Sequence, residues 1–153
     1  MGTGTAAADR KKIVAGLSEL LADTYTLYLK TQGYHWNVTG ENFRAYHLMF
    51  EEQYQELALA VDEVAERIRA LDAVTPASFK EYSSLTVIPE AAEFPAAEQM
   101  VADLIADHEK LIERARPLVD LADEAGDVAT ADLVTTRIEA HEKTLWMLRA
   151  TAA

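Results

Sequence analysis

The chain has no cysteine, so neither a disulfide framework nor a thiolate-held metal site can be built from it. Any metal must be held by carboxylate, imidazole and water, a donor set suited to hard or borderline ions. Basic residues are scarce as well, with 14 Lys and Arg against 26 Asp and Glu and a formal charge of -12. Such a surface attracts cations and repels polyanions, which disfavours nucleic acid as a default partner. Long apolar runs are also missing. No stretch approaches the roughly 18 residues of a membrane span, and the opening Met-Gly-Thr-Gly-Thr-Ala-Ala-Ala lacks the apolar run of a secretory signal. The expectation is a cytoplasmic protein with no membrane partner. At 153 residues, one domain is expected, burying about two-thirds of the surface that its unfolded chain exposes.

What the chain does have is helical periodicity. Residues 1–8 are small and polar and read as a flexible N-terminal tail, leaving residues 9–153 as a single domain. Ile13, Leu17, Leu20, Leu21, Leu27 and Tyr28 then recur at helical spacing, giving a first helix that ends near Asn37. Thr39-Gly40-Glu41-Asn42 reads as a turn. Beyond it Phe43, Tyr46, Phe50, Tyr54, Leu57, Val61, Val64, Ile68 and Leu71 form an unbroken stripe of threes and fours, which predicts a second long helix. The region from Thr75 to Phe94 changes period too often to be one element, and a short helix is expected within it over Ala77 to Tyr82. A third long helix is predicted from Ala96 to Asp123, with Pro117 as a kink or local irregularity. Gly126 and Asp127 read as a stop and an N-cap, opening a fourth helix through Leu133, Ile138, Leu145 and Leu148. Four long helices with one long crossover specify an all-α, ferritin-like four-helix bundle more than a simple up-down one.

The second helix also carries chemistry. His47 and Glu51 are four apart and Asp62 and Glu66 are four apart. At 100° per residue the four fall within about 100° of arc, one stripe that flanks the apolar face. Yet Glu51 and Asp62 are separated by roughly 16 Å along the helix axis, too far for one ion bonded at about 2 Å to bridge. Two copies of the helix lying antiparallel across a two-fold axis bring the His/Glu half of one against the Asp/Glu half of the other, which predicts metal sites at a dimer interface. Leu48, Ala58, Leu59 and Ala65 lie between the acids on that side and suit a buried contact better than a solvated one. The plain alternative is that these acids are ordinary solvated charges, with Glu66 paired to Arg67 or Arg69. His35 falls on the line of Leu17, Leu21 and Tyr28, and alone would read as a core histidine. His108 and His141 have no comparable acid partners and read as structural or surface residues.

The run Tyr34-His35-Trp36-Asn37-Val38-Thr39-Gly40, followed by Phe43, His47, Phe50 and Asp62-Glu63-Val64-Ala65-Glu66-Arg67, resembles the Dps mini-ferritin family. The likeness spans about residues 10–150 and includes Trp146-Met147-Leu148 near the end. By that resemblance His35, His47 and Glu51 correspond to metal ligands from one subunit, and Asp62 and Glu66 to ligands from its two-fold neighbour. Position 51 is Glu where many family members have Asp, a longer arm by one methylene. None of the four histidines has Glu three positions before it, so the Glu-x-x-His site of conventional 24-subunit ferritins is the weaker match.

The resemblance implies a ferroxidase. It would be a homododecamer that oxidises Fe(II), two Fe per intersubunit site, with hydrogen peroxide as favoured oxidant, and that stores ferric oxyhydroxide inside. Trp36 is a candidate radical trap because it adjoins His35, and the resemblance implies that Asp123, Asp127 and Asp132 are candidate pore residues for iron entry. A bacterial cytoplasmic location follows, nucleoid-associated where DNA is bound. Direct DNA binding is disfavoured, because the tail offers only Arg10, Lys11 and Lys12 and a shell of such subunits repels phosphate. The alternative is a nucleoid-compacting DNA-protection shell with weak or vestigial ferroxidase activity.

Overall fold

A computed structural model describes residues 6–153. It contains five helices: α1 (Ala7–Asn37), α2 (Phe43–Ala70), α3 (Phe79–Leu85), α4 (Ala97–Glu124) and α5 (Val128–Ala152). The four long ones form the bundle. α1 packs on α2 and α4 on α5, while α1 also meets α4 and the short α3. No described helix is long and apolar enough to cross a membrane.

The core follows the stripes. α1 buries Ile13, Leu17, Leu21 and Leu27, α2 buries Phe50, Leu57, Val64 and Ile68, and α4 buries Met100, Leu104, Leu111 and Leu118. Each such side chain contributes about 1.5–3 kcal/mol by leaving water. α5 is different. Val134, Leu145 and Leu148 are buried on it, but between them the same face sinks Arg137 and His141.

The ends of the helices show local causes. α2 stops in a Schellman turn, with Ala73 N–H donating to Ile68 O over 3.3 Å and Asp72 taking φ +64°, a left-handed position usually filled by glycine. α4 stops the same way at Gly126, φ +77°, where Asp127 N–H donates to Ala122 O over 2.9 Å. Asp127 then caps α5 as expected, accepting from Thr130 N–H at 3.1 Å.

Two expectations need correction. α1 begins at Ala7, so Ala7 and Ala8 are helical, and the rest of the expected tail, residues 1–5, lies outside the described residues. α3 is Phe79–Leu85 and not Ala77–Tyr82, because Ser78 is its N-cap and accepts from Glu81 N–H at 3.2 Å. That Ser-x-x-Glu spacing is a capping-box signal in the sequence. α4 runs through Pro117 as the expected helix does, and Ala115 and Leu118 on either side are buried.

The crossover is moored by polar side chains of α1 and α4. Asp23 Oδ1 accepts from Thr86 Oγ1 at 2.7 Å and Val87 N–H at 2.9 Å, and Arg114 reaches both Asp23 and Leu85 O. Lys30 Nζ donates to Pro89 O at 2.9 Å and pairs with buried Asp107 at 2.7 Å. Burial pushes the Asp23 and Asp107 carboxyls above the usual range, outweighing the hydrogen bonds and cations that favour their ionised forms.

Candidate metal centre

The α1–α2 hairpin places His35, in the last turn of α1, beside His47, in the second turn of α2. Gly40 makes this possible by turning the short connection at φ +116°. The two imidazoles stack with centroids 3.9 Å apart and planes 12° from parallel. Their bonding is reciprocal: His35 Nδ1 lies 2.7 Å from His47 O, and His47 Nδ1 lies 2.7 Å from His35 O. A carbonyl only accepts, so each Nδ1 carries the proton. Each neutral ring is therefore fixed in the tautomer that leaves a lone pair on Nε2, the form in which histidine binds a metal.

Glu51, one helical turn beyond His47, brings its Oε1 to 3.9 Å from His35 Nε2. That is too long for a hydrogen bond. It is within the roughly 4.2 Å reached by two ligands bonded at about 2.1 Å to one ion. His35 is 5 % exposed, whereas Glu51 and His47 are half-buried, so the trio sits at the edge of the core and opens outward. These donor types suit a hard or borderline divalent cation, but the set is incomplete within one chain.

Asp62 and Glu66 are exposed and do not join the trio. Among the described residues of one chain, no three His, Asp or Glu side chains gather closely enough to hold a metal. The local pairing considered for Glu66 does not form either. Arg67 turns to Asp127 at 2.9 Å, and Arg69 donates to Ala73 O at 2.8 Å. Leu59 on the same helix is 69 % exposed, and Leu48, Phe43 and Trp36 are also exposed.

Trp36 is beside His35 in sequence but points to another place. It lines a groove of about 340 Å³ with Tyr25, Phe79, Tyr82 and Phe94. Of the three aspartates near the start of α5, Asp123 and Asp132 are exposed. Asp127 is buried, with Oδ1 held by Arg67 and Thr130 N–H and Oδ2 accepting from Thr130 Oγ1 at 2.6 Å. It presents no free carboxylate for a pore.

A second histidine pair lies inside the bundle, buried and not at the surface. His141 Nε2 accepts from Arg137 at 3.2 Å, so its proton is on Nδ1 and is donated to His108 Nδ1 at 2.9 Å. Arg137, itself buried, is gripped by Glu56 of α2. Burial, with help from the Arg137 charge, pushes His108 down to about 3 and His141 well below its ordinary value. Sequence reading left this cluster undivided from surface residues; the signal was the break in the apolar stripe of α5 at Arg137 and His141.

Comparison with known proteins agrees with this picture. The ferritin-like domain family matches residues 14–153. General stress protein 20U of Bacillus subtilis is 36% identical over 140 residues, covering 92% of this chain and 97% of the relative. DNA protection during starvation protein 2 of Bacillus anthracis is also 36% identical over 140 residues, covering 92% and 96%. A Dps protein from Bacillus brevis superposes with a TM-score of 0.93 at 32% identity, over 97% of this chain and 99% of that one. Dps from Vibrio cholerae O1, described as a member of a broad superfamily of ferritin-like diiron-carboxylate proteins, gives 0.93 at 33% identity over 100% and 99%. The bundle, its long crossover and this near-complete coverage lead to one conclusion: the chain belongs to the Dps family of ferritin-like proteins.

Proposed function

We propose that this protein is a ferroxidase and iron store: twelve copies close into a shell, oxidise Fe(II) at sites shared between two-fold neighbours, and deposit ferric oxyhydroxide inside. The observation that carries the reading is the reciprocal lock of His35 and His47, which holds two neutral imidazoles with free Nε2 atoms beside the Glu51 carboxylate. Histidines that only pack also satisfy their ring N–H groups; this pair differs in leaving both Nε2 atoms free beside a carboxylate. The unpaired Asp62 and Glu66 of a second copy supply the remaining carboxylates. The exposed Leu48 and Leu59 support burial of this face of α2 by that copy.

Fe(II) is the substrate. Carboxylate donors stabilise Fe(III) more than Fe(II), so the donor set favours loss of the electron. Two Fe(II) held close pass two electrons to one hydrogen peroxide, which leaves as water or hydroxide without the one-electron step that releases hydroxyl radical. His35 and His47 hold their positions throughout, because each Nδ1–H keeps its hydrogen bond to a carbonyl oxygen. Stopped-flow Fe(II) oxidation under peroxide and under oxygen, together with native mass measurement, tests the reading. Rapid peroxide-driven oxidation by a 12-subunit particle is expected. A stable monomer, a 24-subunit particle, or oxidation no faster than free iron overturns it.

The name of the Bacillus anthracis relative speaks of DNA protection, and the second reading is a DNA-compacting shell. The charge of -12 per chain opposes it. No gel shift is expected at physiological salt without divalent cations, and submicromolar binding under those conditions would favour the second reading.

A further inference from the structure

Four of the six tyrosines fall in one line that starts at the metal centre. The Tyr54 ring is 5.1 Å from His35, Tyr28 is 6.2 Å from Tyr54, Tyr25 is 5.8 Å from Tyr28, and Tyr82 is 5.0 Å from Tyr25 in a stacked pair. Every member between His35 and Tyr82 is therefore an oxidisable phenol. The other two tyrosines differ. Tyr34 and Tyr46 each lie 6.2 Å from Phe50, which is not readily oxidised and interrupts any path between them. The far end of the line reaches solvent, because Tyr25 and Tyr82 form part of the wall of the groove that Trp36 also lines.

We propose that Tyr54, Tyr28, Tyr25 and Tyr82 are a hopping line that carries stray one-electron oxidising equivalents away from the centre and brings them to the groove. The inference rests on the iron chemistry proposed above. When a single Fe(II) meets peroxide, the O–O bond breaks to give Fe(III), hydroxide and hydroxyl radical. The radical takes the hydrogen atom of the Tyr54 hydroxyl, forming water and a tyrosyl radical. Tyr28 then gives an electron to Tyr54, which regains a proton from water while Tyr28 releases its own to water. One more such step brings the radical to Tyr25 of the stacked Tyr25/Tyr82 pair. Tyr82 Oη is bonded to Pro76 O at 2.6 Å, an acceptor that cannot take a proton, so the deprotonated radical rests on Tyr25. It is quenched there by a small hydrogen-atom donor such as ascorbate or a thiol, which re-forms the O–H bond and departs as the donor radical. The ligands His35 and His47 are thereby spared.

The test uses the assembled protein with Fe(II), peroxide and a nitroso spin trap, followed by peptide mapping of the trapped adducts. The wild type should carry adducts on Tyr25 and Tyr82. In Tyr28→Phe, which preserves packing and does not adjoin His35, Fe(II) oxidation should be unchanged, most of those adducts should disappear, and adducts should accumulate on Tyr54. Unchanged adducts on Tyr25 and Tyr82 in this variant, or none in a wild type that oxidises iron, overturns the line. Azidyl radicals acting on the metal-free protein provide an arm that does not depend on iron. Azidyl enters at the groove, so there Tyr28→Phe should shift adducts away from Tyr54 and leave them on Tyr25 and Tyr82, and unchanged adducts on Tyr54 overturn the line even if the iron reading stands. If instead the wild type oxidises no iron while the metal-free shift appears, the reading of the centre fails and the line survives.

Discussion

Two histidine pairs bridge helices in this chain, and their hydrogen-bond partners give them opposite roles. His35 and His47 each donate the Nδ1–H to the other's main-chain carbonyl, which leaves both Nε2 atoms uncommitted at the edge of the core. His108 and His141 place a proton between their own Nδ1 atoms, and Arg137 takes the Nε2 of His141. The first pair can bind a cation without breaking a bond. The second would have to surrender its bonds next to a buried guanidinium, and burial already disfavours charge there. Residue type does not separate the two pairs. What separates them is whether the backbone or another side chain satisfies the ring.

The largest expected effect breaks the first pair. Loss of an outer-shell partner typically costs 10–100-fold in metal affinity or activity, so His47→Ala, which removes a ligand, should lower Fe(II) oxidation by about 100-fold or more while leaving the fold intact. Stopped-flow kinetics and circular dichroism together check this. His141→Ala should do the reverse, destabilising the chain with little change in oxidation per folded subunit, and equal losses from both variants would erase the distinction.

Arg137→Met tests the second pair more gently. It leaves the acceptor of His141 unsatisfied in the core and frees Glu56, at an expected cost of about 1–3 kcal/mol in chemical denaturation.

A pH series sharpens the same contrast. The unfolded chain protonates His108 and His141 near 6.5, whereas the folded chain holds His108 neutral down to about 3 and His141 neutral well below 6.5. In that window the unfolded state binds more protons, so this pair makes stability fall as pH drops from about 6.5 toward 3. The raised carboxyls of Asp23 and Asp107 work in the opposite direction at the acidic end. The double variant His108→Gln/His141→Gln should show a shallower loss between pH 6.5 and 4, measured by denaturant unfolding. An unchanged slope would show that the pair does not set it.

The smallest effect concerns the aspartates at the start of α5. Asp123→Asn with Asp132→Asn should slow iron uptake modestly at unchanged affinity of the centre. Asp127→Ala should instead cost about 0.5–2 kcal/mol of stability, as loss of a helix cap does. If the first variant takes up iron at the wild-type rate in a correctly assembled shell, the pore proposal for Asp123 and Asp132 is withdrawn.

The long helices were legible because each buries an apolar stripe of its own, and α2 starts at Phe43 where the pattern starts. The trio was legible in part. His47 and Glu51 share a helical face, but the stacking of His35 on His47 and the reciprocal carbonyl bonds depend on how tightly the hairpin closes, which spacing does not report. Less visible were the buried ions. Asp23, Lys30 and Asp107 sit in helices where a sequence pattern expects solvated charge, and only the crossover folding back over α1 gives them partners. Arg67 likewise looked available to Glu66, and its engagement with Asp127, sixty positions away, is a tertiary fact.

The shared site is the central claim, and mixed assembly tests it most directly. One variant lacks His35, His47 and Glu51, the other lacks Asp62 and Glu66, and each alone should assemble yet oxidise Fe(II) poorly. Refolded together, a mixed two-fold pair carries one doubly damaged site and one site built from two intact halves. Rapid oxidation should return in the co-assembled sample and not in a mixture of preformed shells. Confirmed co-assembly by native mass with no return of rapid oxidation would contradict the claim that the ligands are shared across the interface.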